Sequence, residues 1–333
     1  MVSIGKEGLA MKGILIDLPK TIPIKLRNGV DRYGFSYVLA QRCNRRKPPR
    51  SFAFWIHGWR NTKGFPESKL TAELLACQYL PKDTTIVVRN DVEKQVVVRE
   101  GFSDVLIGGL PFAYIKQQHS KRHKDCLLTF LPHSVEFVRT KSDQKQYMDY
   151  LESLKNDFES IYVSLYSIDN LGPMEKAAKH RGLNTIQCAK PDDRNSLFRI
   201  RSILDSFEYV TTNVWGSHML YALYSGCKFS FTGPIYEYKE ELFSTKKVNN
   251  IYSKKSHESL EYLQSEEYLR SNYSYFFKDN PKQGINDLVF AKEEIGEKNL
   301  LTKPQIEKAL GWSLKDQVKG YGLGGIRRLL RTI

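Results

Sequence analysis

Glu208-Tyr-Val-Thr-Thr-Asn-Val-Trp-Gly-Ser-His-Met-Leu-Tyr-Ala-Leu-Tyr-Ser-Gly-Cys-Lys-Phe-Ser-Phe231 is the stretch that decides how this chain folds. An apolar run over 208–212 ends in two threonines, and a short turn carrying Gly216 follows. A helix is expected over 217–224, closed by Gly226, and 227–231 reads as the next strand. The order strand, turn, helix, glycine, strand is one unit of a parallel α/β sheet.

Outward from it, the same alternation extends back to about residue 125. The segment 125–131 is a short apolar run entering a loop at Pro132-His133-Ser134. Ser142 suits the N-cap of a helix over 143–158, where Tyr147, Leu151, Leu154 and Phe158 recur at spacings of three and four. Strands are predicted at 161–166 and 184–188, with helices near 173–181 and at 195–206. Pro173 at the start of one and Gly182 just past its end follow the usual asymmetry. Because parallel strands need crossover connections, the alternation specifies an α/β, doubly wound domain.

The first 120 residues repeat the theme, with strands expected at 51–56, 85–88 and 105–107 and helices at 66–80 and 91–100. Segments 13–16 and 34–39 are candidate strands. The polar, basic stretch 116–124 reads as an exposed hinge. Two α/β units meeting there would face one another across a cleft, and the chain after Gly233 turns helical and charged. The expected division is 1–120, 121–290 and a helical basic tail over 291–333.

The chain has 333 residues, 41% hydrophobic and 26% charged, which excludes collagen-like, disordered and disulfide-scaffold classes. Five cysteines without a CxxC pair point to reduced thiols, not to a disulfide framework or zinc site. No apolar run approaches the roughly 18 residues of a membrane span, and the first residues lack a signal-peptide core, so a cytoplasmic location is expected. Lys+Arg number 51 against 37 Asp+Glu, a formal charge of +14. That excess suits nucleic acid, an anionic membrane surface or a phosphorylated substrate.

It is concentrated in a loop (Arg42, Arg45, Arg46, Lys47, Arg50), in the hinge and in the tail (Lys319, Arg327, Arg328, Arg331). In the tail Ile326, Leu329, Leu330 and Ile333 recur at helical spacing. Two readings stand open there: a basic amphipathic helix at the inner face of a membrane, or a terminal helix packed across both units.

Three places are suited to chemistry. In the turn 211–217 the free N–H groups and the helix dipole face the carboxyl edge of the sheet, where an anion can sit. Thr211, Thr212, Asn213, Gly216, Ser217 and His218 are its candidate residues; capping and strand-ending are the plainer alternative. His133 and Ser134 end another strand at the same edge. In Trp55-Ile-His-Gly-Trp-Arg60, His57 is either a general base facing the cleft or a histidine packed between tryptophans, and Gly58 admits close approach of a ligand. Asp91 and Glu93 read as helix-start charges. The sequence contains no GxxxxGK[ST], GxSxG or HExxH pattern; Gly322-Leu-Gly-Gly lies in a tail without the preceding strand that a dinucleotide-binding GxGxxG requires, and no metal is expected.

The arrangement resembles the GT-B glycosyltransferases, two facing Rossmann-like domains with a nucleotide-sugar in the cleft. More narrowly, it is similar to bacterial transferases of capsule, lipopolysaccharide and O-antigen synthesis related to sialyl-, Kdo- and glycerophosphate-transferring enzymes. Leu131-Pro-His-Ser134, Thr211-Thr-Asn-Val-Trp-Gly-Ser217 and Phe231-Thr-Gly-Pro-Ile-Tyr-Glu237 carry the resemblance. It departs from the family in having Ser134 where a Pro is usual and Thr-Thr-Asn for a Ser-Ser pair.

The resemblance implies that His133, Thr211, Thr212 and Ser217 hold donor phosphate and that Glu237 meets the ribose. Ser134, Asn213, Gly216 and His218 would complete the donor side, with Gly58 and Arg60 on the acceptor side. A nucleotide-sugar would then be substrate, with no separate cofactor, a saccharide or lipid-linked acceptor, and no nucleic-acid partner. A basic nucleic-acid-binding protein and a sugar-nucleotide epimerase are the alternatives. No RRM, KH or helix-turn-helix pattern supports the first, and no carboxylates can be placed in the cleft for the second.

Overall fold

A computed structural model describes residues 6–11, 14–71, 73–117, 121–132, 144–166, 171–237 and 254–329. The chain opens with an antiparallel hairpin, β1 (Lys6–Met11) and β2 (Ile14–Pro19). A 3-10 turn, Gly29–Gly34, leads into α1 (Phe35–Arg42). Here the expectation of a strand at 34–39 is corrected. Phe35, Val38 and Leu39 are buried together at helical spacing, and the Ser36 hydroxyl donates to Asp31 Oδ1 at 2.6 Å, supporting the first turn.

A three-stranded parallel sheet follows: β3 (Phe54–Trp55), β4 (Ile86–Val88) and β5 (Val105–Ile107), with α2 (Asp91–Arg99) between the last two. Asn90 caps α2 by accepting from Glu93 N at 3.0 Å. The helix expected at 66–80 is absent; only a 3-10 turn, Glu67–Lys69, forms there among the described residues. Its apolar side chains Leu70, Leu74, Leu75 and Cys77 are nonetheless buried. The reason lies in the carbonyls: Arg99 Nη2 takes Leu70 O at 2.5 Å and Arg60 Nε takes Leu74 O at 2.8 Å. Arginines from elsewhere satisfy the groups that a helix would have paired within itself.

The second sheet is built from β6 (His123–Phe130), α3 (Lys145–Ser153), β7 (Ser160–Leu165), α4 (Leu171–His180), β8 (Asn184–Gln187), α5 (Ser196–Ser206), β9 (Phe207–Thr212), α6 (Ser217–Tyr224) and β10 (Lys228–Phe231). All pairings are parallel, in the spatial order β10-β9-β6-β7-β8. Strand order therefore reverses between β6 and β9, as in a Rossmann sheet, and the carboxyl ends there bound a natural crevice. Ser142, the expected cap of the helix before β7, lies outside the described residues.

Helices complete the chain: α7 (Lys254–Leu263), α8 (Glu266–Tyr273), α9 (Leu288–Ile295), α10 (Lys303–Leu310) and α11 (Leu314–Leu329). The chain crosses between the sheets more than once. Ile24 N donates to Asp192 O at 2.8 Å and Tyr33 N to Pro191 O at 2.7 Å, placing the segment before α1 beside the loop that follows β8. In return, Leu110 N donates to Ile295 O at 2.9 Å and Phe52 N to Leu310 O at 3.1 Å, placing α9 and α10 on the first sheet. Buried side chains from both sheets form one continuous apolar cluster.

The basic loop and hinge are partly structural. Arg42 Nε donates to Tyr114 O at 2.8 Å, Arg45 pairs with Glu307 at 3.0 Å, and Arg122 donates to Leu204 O, Phe207 O and Ser225 O. These cations close loops on backbone carbonyls and on α10 as well as adding charge. Among the described residues no helix is long and apolar enough to cross a membrane.

Candidate functional site

Between the carboxyl ends of the two parallel sheets lies a cavity of about 750 Å³. Its floor is the crevice between β6 and β9: Phe130 and Leu131 from one side, the turn 214–218 from the other. The facing wall is the loop after β3, from His57 to Thr62. Apolar side chains of 70–76 and of α7 close one end.

On the second-sheet side, Gly216, Ser217 and His218 line the cavity. Gly216 is the N-cap of α6, so the helix presents its first N–H groups and positive dipole end from that point. A Cβ on Gly216 would lie 2.7 Å from the His218 ring, which stacks on Phe130 at 4.9 Å between centroids. Ser217 Oγ accepts the Trp59 N–H at 2.9 Å across the cavity.

The threonines behave otherwise. Thr211 is fully buried, and its hydroxyl donates to Ser230 O at 3.0 Å and meets Thr232 Oγ1 at 2.7 Å. It faces β10 and is bonded within the sheet. Thr212 Oγ1 donates to Phe130 O at 2.8 Å and accepts from Val214 N at 3.2 Å, pinning the turn to β6. Asn213 is 2% exposed and donates through Nδ2 to Pro234 O at 3.0 Å; it shapes the turn from behind.

Glu237, expected at a ribose, is not a cavity residue: its carboxylate accepts Glu266 N at 2.9 Å, satisfying an orphan donor at the start of α8. His133 and Ser134 lie outside the described residues. Neither threonine lines the cavity: adjacent strand residues point to opposite faces of the sheet, and each hydroxyl donates to a carbonyl of a neighbouring strand.

On the first-sheet side, His57, Gly58 and Arg60 all line the cavity. Burial, and then the guanidinium charges of Arg60 and Arg32, push the His57 imidazole down to about 4, so it is neutral at physiological pH. Its Nδ1 has no hydrogen-bond partner. Trp55 and Trp59 on either side of it in sequence are buried, and the ring that neighbours His57 is that of Tyr33, at 5.9 Å. Arg60 is anchored through Nε on Leu74 O.

Several cavity residues carry no sequence signature. Tyr33 has φ of +57°, a left-handed conformation uncommon for a bulky residue, and its hydroxyl meets that of Tyr166 at 2.5 Å. That contact joins the segment before α1 to the end of β7. Glu93 is more than a helix-start charge. It is buried with Arg89, whose Nε donates to it at 3.1 Å, and Arg89 Nη1 also reaches Glu294 Oε2 on α9 at 2.5 Å. Trp59 Nε1 donates to the same Glu294 oxygen at 2.8 Å. This ion network fixes the wall behind His57. Among the described residues no three His, Cys, Asp or Glu side chains gather as a metal site would require.

No protein-family model matches the sequence, and neither does any curated protein. Among solved structures the chain is similar to the crystal structure of TarM, at 12% identity and a TM-score of 0.34, over 82% of this chain and 52% of that one. It is also similar to a UDP-glucosyltransferase from Polygonum tinctorium capable of glucosylating indoxyl, in complex with 3,4-dichloroaniline. That match has 11% identity and a TM-score of 0.30, over 83% of this chain and 63% of the other. The chain thus spans about half the length of TarM and less than two thirds of the second protein. Likenesses this distant carry no argument about activity, which rests on the cavity.

Proposed function

We propose that this chain is a glycosyltransferase of GT-B type, moving a sugar from a nucleotide-sugar to a hydroxyl of a surface-polysaccharide precursor. The observation that carries the reading is the cavity at the strand-order reversal, with the α6 N-terminus on one wall and a neutral His57 on the other. Parallel sheets of this order bind nucleotides at that crevice. The donor's phosphates would lie against the N–H groups of Gly216, Ser217 and His218, with His133 and Ser134, which follow β6 in the sequence, as the further contacts that the resemblance implies. Negative charge grows on the leaving nucleotide in the transition state, and each well-aimed fixed donor there is worth about 3 kcal/mol. With this charge met by N–H groups and Arg32, the transfer would need no metal.

His57 would accept the proton of the attacking hydroxyl. At about 4 it is a weak base in the free protein. An anionic donor beside Arg60 and Arg32 would offset their repulsion, the lesser cause of the lowering after burial, and so make the imidazole a stronger base in the complex than in the free chain. Gly58 would leave room for the acceptor and Arg60 would orient it.

A lipid-linked acceptor is supported by α11. Leu314, Val318 and Tyr321 recur at spacings of four and three and are 82%, 67% and 59% exposed, with Lys315 and Lys319 exposed beside them. An apolar stripe with flanking cations suits the surface of an anionic bilayer, and so peripheral contact at a cytoplasmic membrane face.

Melting curves with CMP, CDP, UDP and GDP test the reading, because a nucleotide that binds only the folded chain raises its melting temperature. One nucleotide should stabilise at millimolar concentration. No shift with any of them, together with salt-sensitive binding of oligonucleotides, would favour the nucleic-acid alternative.

A further inference from the structure

We infer that Tyr33 is the positioning residue of His57: its ring walls the imidazole, and its left-handed backbone brings the ring there. That His57 serves as a base belongs to the transfer reading, on which this role rests; the contact between the two rings does not.

A histidine that exchanges protons is ordinarily oriented by a hydrogen bond on one ring nitrogen. His57 has none at Nδ1, which is buried and without a partner. A proton arriving from the cavity therefore has to be taken at Nε2, and the direction of the ring falls to packing. Among the described residues the ring beside it is that of Tyr33, with centroids 5.9 Å apart and planes tilted by 47°. Both residues line the cavity.

The backbone of Tyr33 is the unusual part. Its φ of +57° and ψ of +19° are costly for a bulky residue and persist only where the surroundings hold them. They are held at two further points: Tyr33 N donates to Pro191 O at 2.7 Å, and the hydroxyl meets that of Tyr166 at 2.5 Å. Gly34, which follows, is left-handed too. Of these two consecutive positions one is filled by glycine, the residue that takes such angles without strain. A glycine would also be the unstrained choice at the first, and a tyrosine there puts a ring at His57 that glycine could not.

The competing explanation is that Tyr33 only ties the segment before α1 to the end of β7. A tie needs the hydroxyl, and positioning needs the ring. Tyr33→Phe keeps the ring and loses the tie; Tyr33→Gly loses the ring and relieves the backbone. The charges acting on His57 are the guanidinium groups of Arg60 and Arg32, which both variants retain. The other titratable neighbours are the phenols of Tyr33 itself and of Tyr221, whose hydroxyl donates to His57 O at 3.3 Å. Burial pushes both phenols up, so neither acquires charge in the acid range.

The test is a histidine titration by NMR on the full chain, labelled with ¹³C and ¹⁵N in histidine and tyrosine, with His57 assigned by its loss in His57→Gln. In the wild type the His57 ring protons should show contacts to the Tyr33 ring, and the imidazole should stay neutral until about pH 4. In Tyr33→Gly the imidazole, opened to water on one side, should titrate about one pH unit higher, and Tyr33→Phe should restore the wild-type curve. Where acid unfolds the chain first, the wild type should remain neutral to that limit and Tyr33→Gly should begin to charge above it.

A folded Tyr33→Gly with the wild-type titration overturns the inference. A Tyr33→Phe curve displaced as far as that of Tyr33→Gly also overturns it, since the hydroxyl tie would then be the whole effect. If Tyr33→Gly does not fold, the wild-type spectrum decides: absence of the His57–Tyr33 ring contacts overturns the inference, and their presence with an unshifted Tyr33→Phe supports it. The four nucleotides keep the two readings apart. A titration that responds as expected while no nucleotide raises the melting temperature leaves the positioning standing and removes the transfer reading. An unmoved titration beside a clear nucleotide shift does the reverse.

Discussion

The backbone N–H of Trp59 donates to the hydroxyl of Ser217 at 2.9 Å, so the loop after β3 and the first turn of α6 are joined across the cavity. Losing this bond strands a partly buried N–H. Ser217→Ala should cost about 1 kcal/mol in urea unfolding and Ser217→Thr much less, since threonine keeps the acceptor. Equal stability of the alanine variant and wild type would show that the bond holds nothing together.

His57 links stability to pH. Its imidazole is lowered from 6.5 to about 4 in the folded chain, so the unfolded chain binds more protons between those values. The contribution is complete above about 6.5 and is lost as pH falls toward about 4, amounting to up to roughly 3 kcal/mol. In His57→Gln this part of the slope should vanish, as read by denaturant midpoints across the window. If His57 is the base, the same variant loses about 100-fold or more in turnover while the nucleotide melting shift persists.

Arg89 is fully buried between Glu93 and Glu294. Arg89→Leu leaves Glu93 charged and unpaired inside the protein, at a cost of about 3–5 kcal/mol. Replacing Glu93 by Leu as well should recover much of that loss. A double variant no better than the single one would mean that the arginine's packing, not its charge, matters.

Gly34 has φ of +73°, and a Cβ there would sit 1.9 Å from Arg194 O. Gly34→Ala should therefore destabilise by well over 1 kcal/mol, beyond the usual conformational preference of glycine. Because Arg194 belongs to the second-sheet side, limited proteolysis of the variant should open the chain near residues 20–34 first. Cleavage spread evenly over the molecule would contradict a local cause.

The exposed stripe of α11 is testable with vesicles. The chain should cosediment with phosphatidylglycerol-containing vesicles and not with pure phosphatidylcholine, and high salt should weaken the binding. Leu314→Glu with Val318→Glu should abolish it without changing the melting temperature, because both side chains face solvent. Undiminished cosedimentation of this double variant would place the membrane contact elsewhere.

The βα succession from β6 to β10 was legible in the sequence because its signals are local. Apolar runs, helical spacing and glycines after helix ends suffice, and α6 starts and stops at the residues expected, Ser217 and Tyr224. The elements that departed from expectation were decided by partners far away in sequence. Arg99 and Arg60 capture the carbonyls of Leu70 and Leu74 where the apolar spacing alone would suggest a helix.

The site divides the same way. That the turn 211–217 and the loop 57–60 hold unusual residues at strand ends is written in the chain. Which residues face the cavity is not: Thr211 turns into the sheet toward Ser230, and Glu237 is spent on the start of α8. Local periodicity determines what elements form. Hydrogen-bond satisfaction and burial across the closed structure determine which polar groups are consumed holding it together and which remain for a ligand.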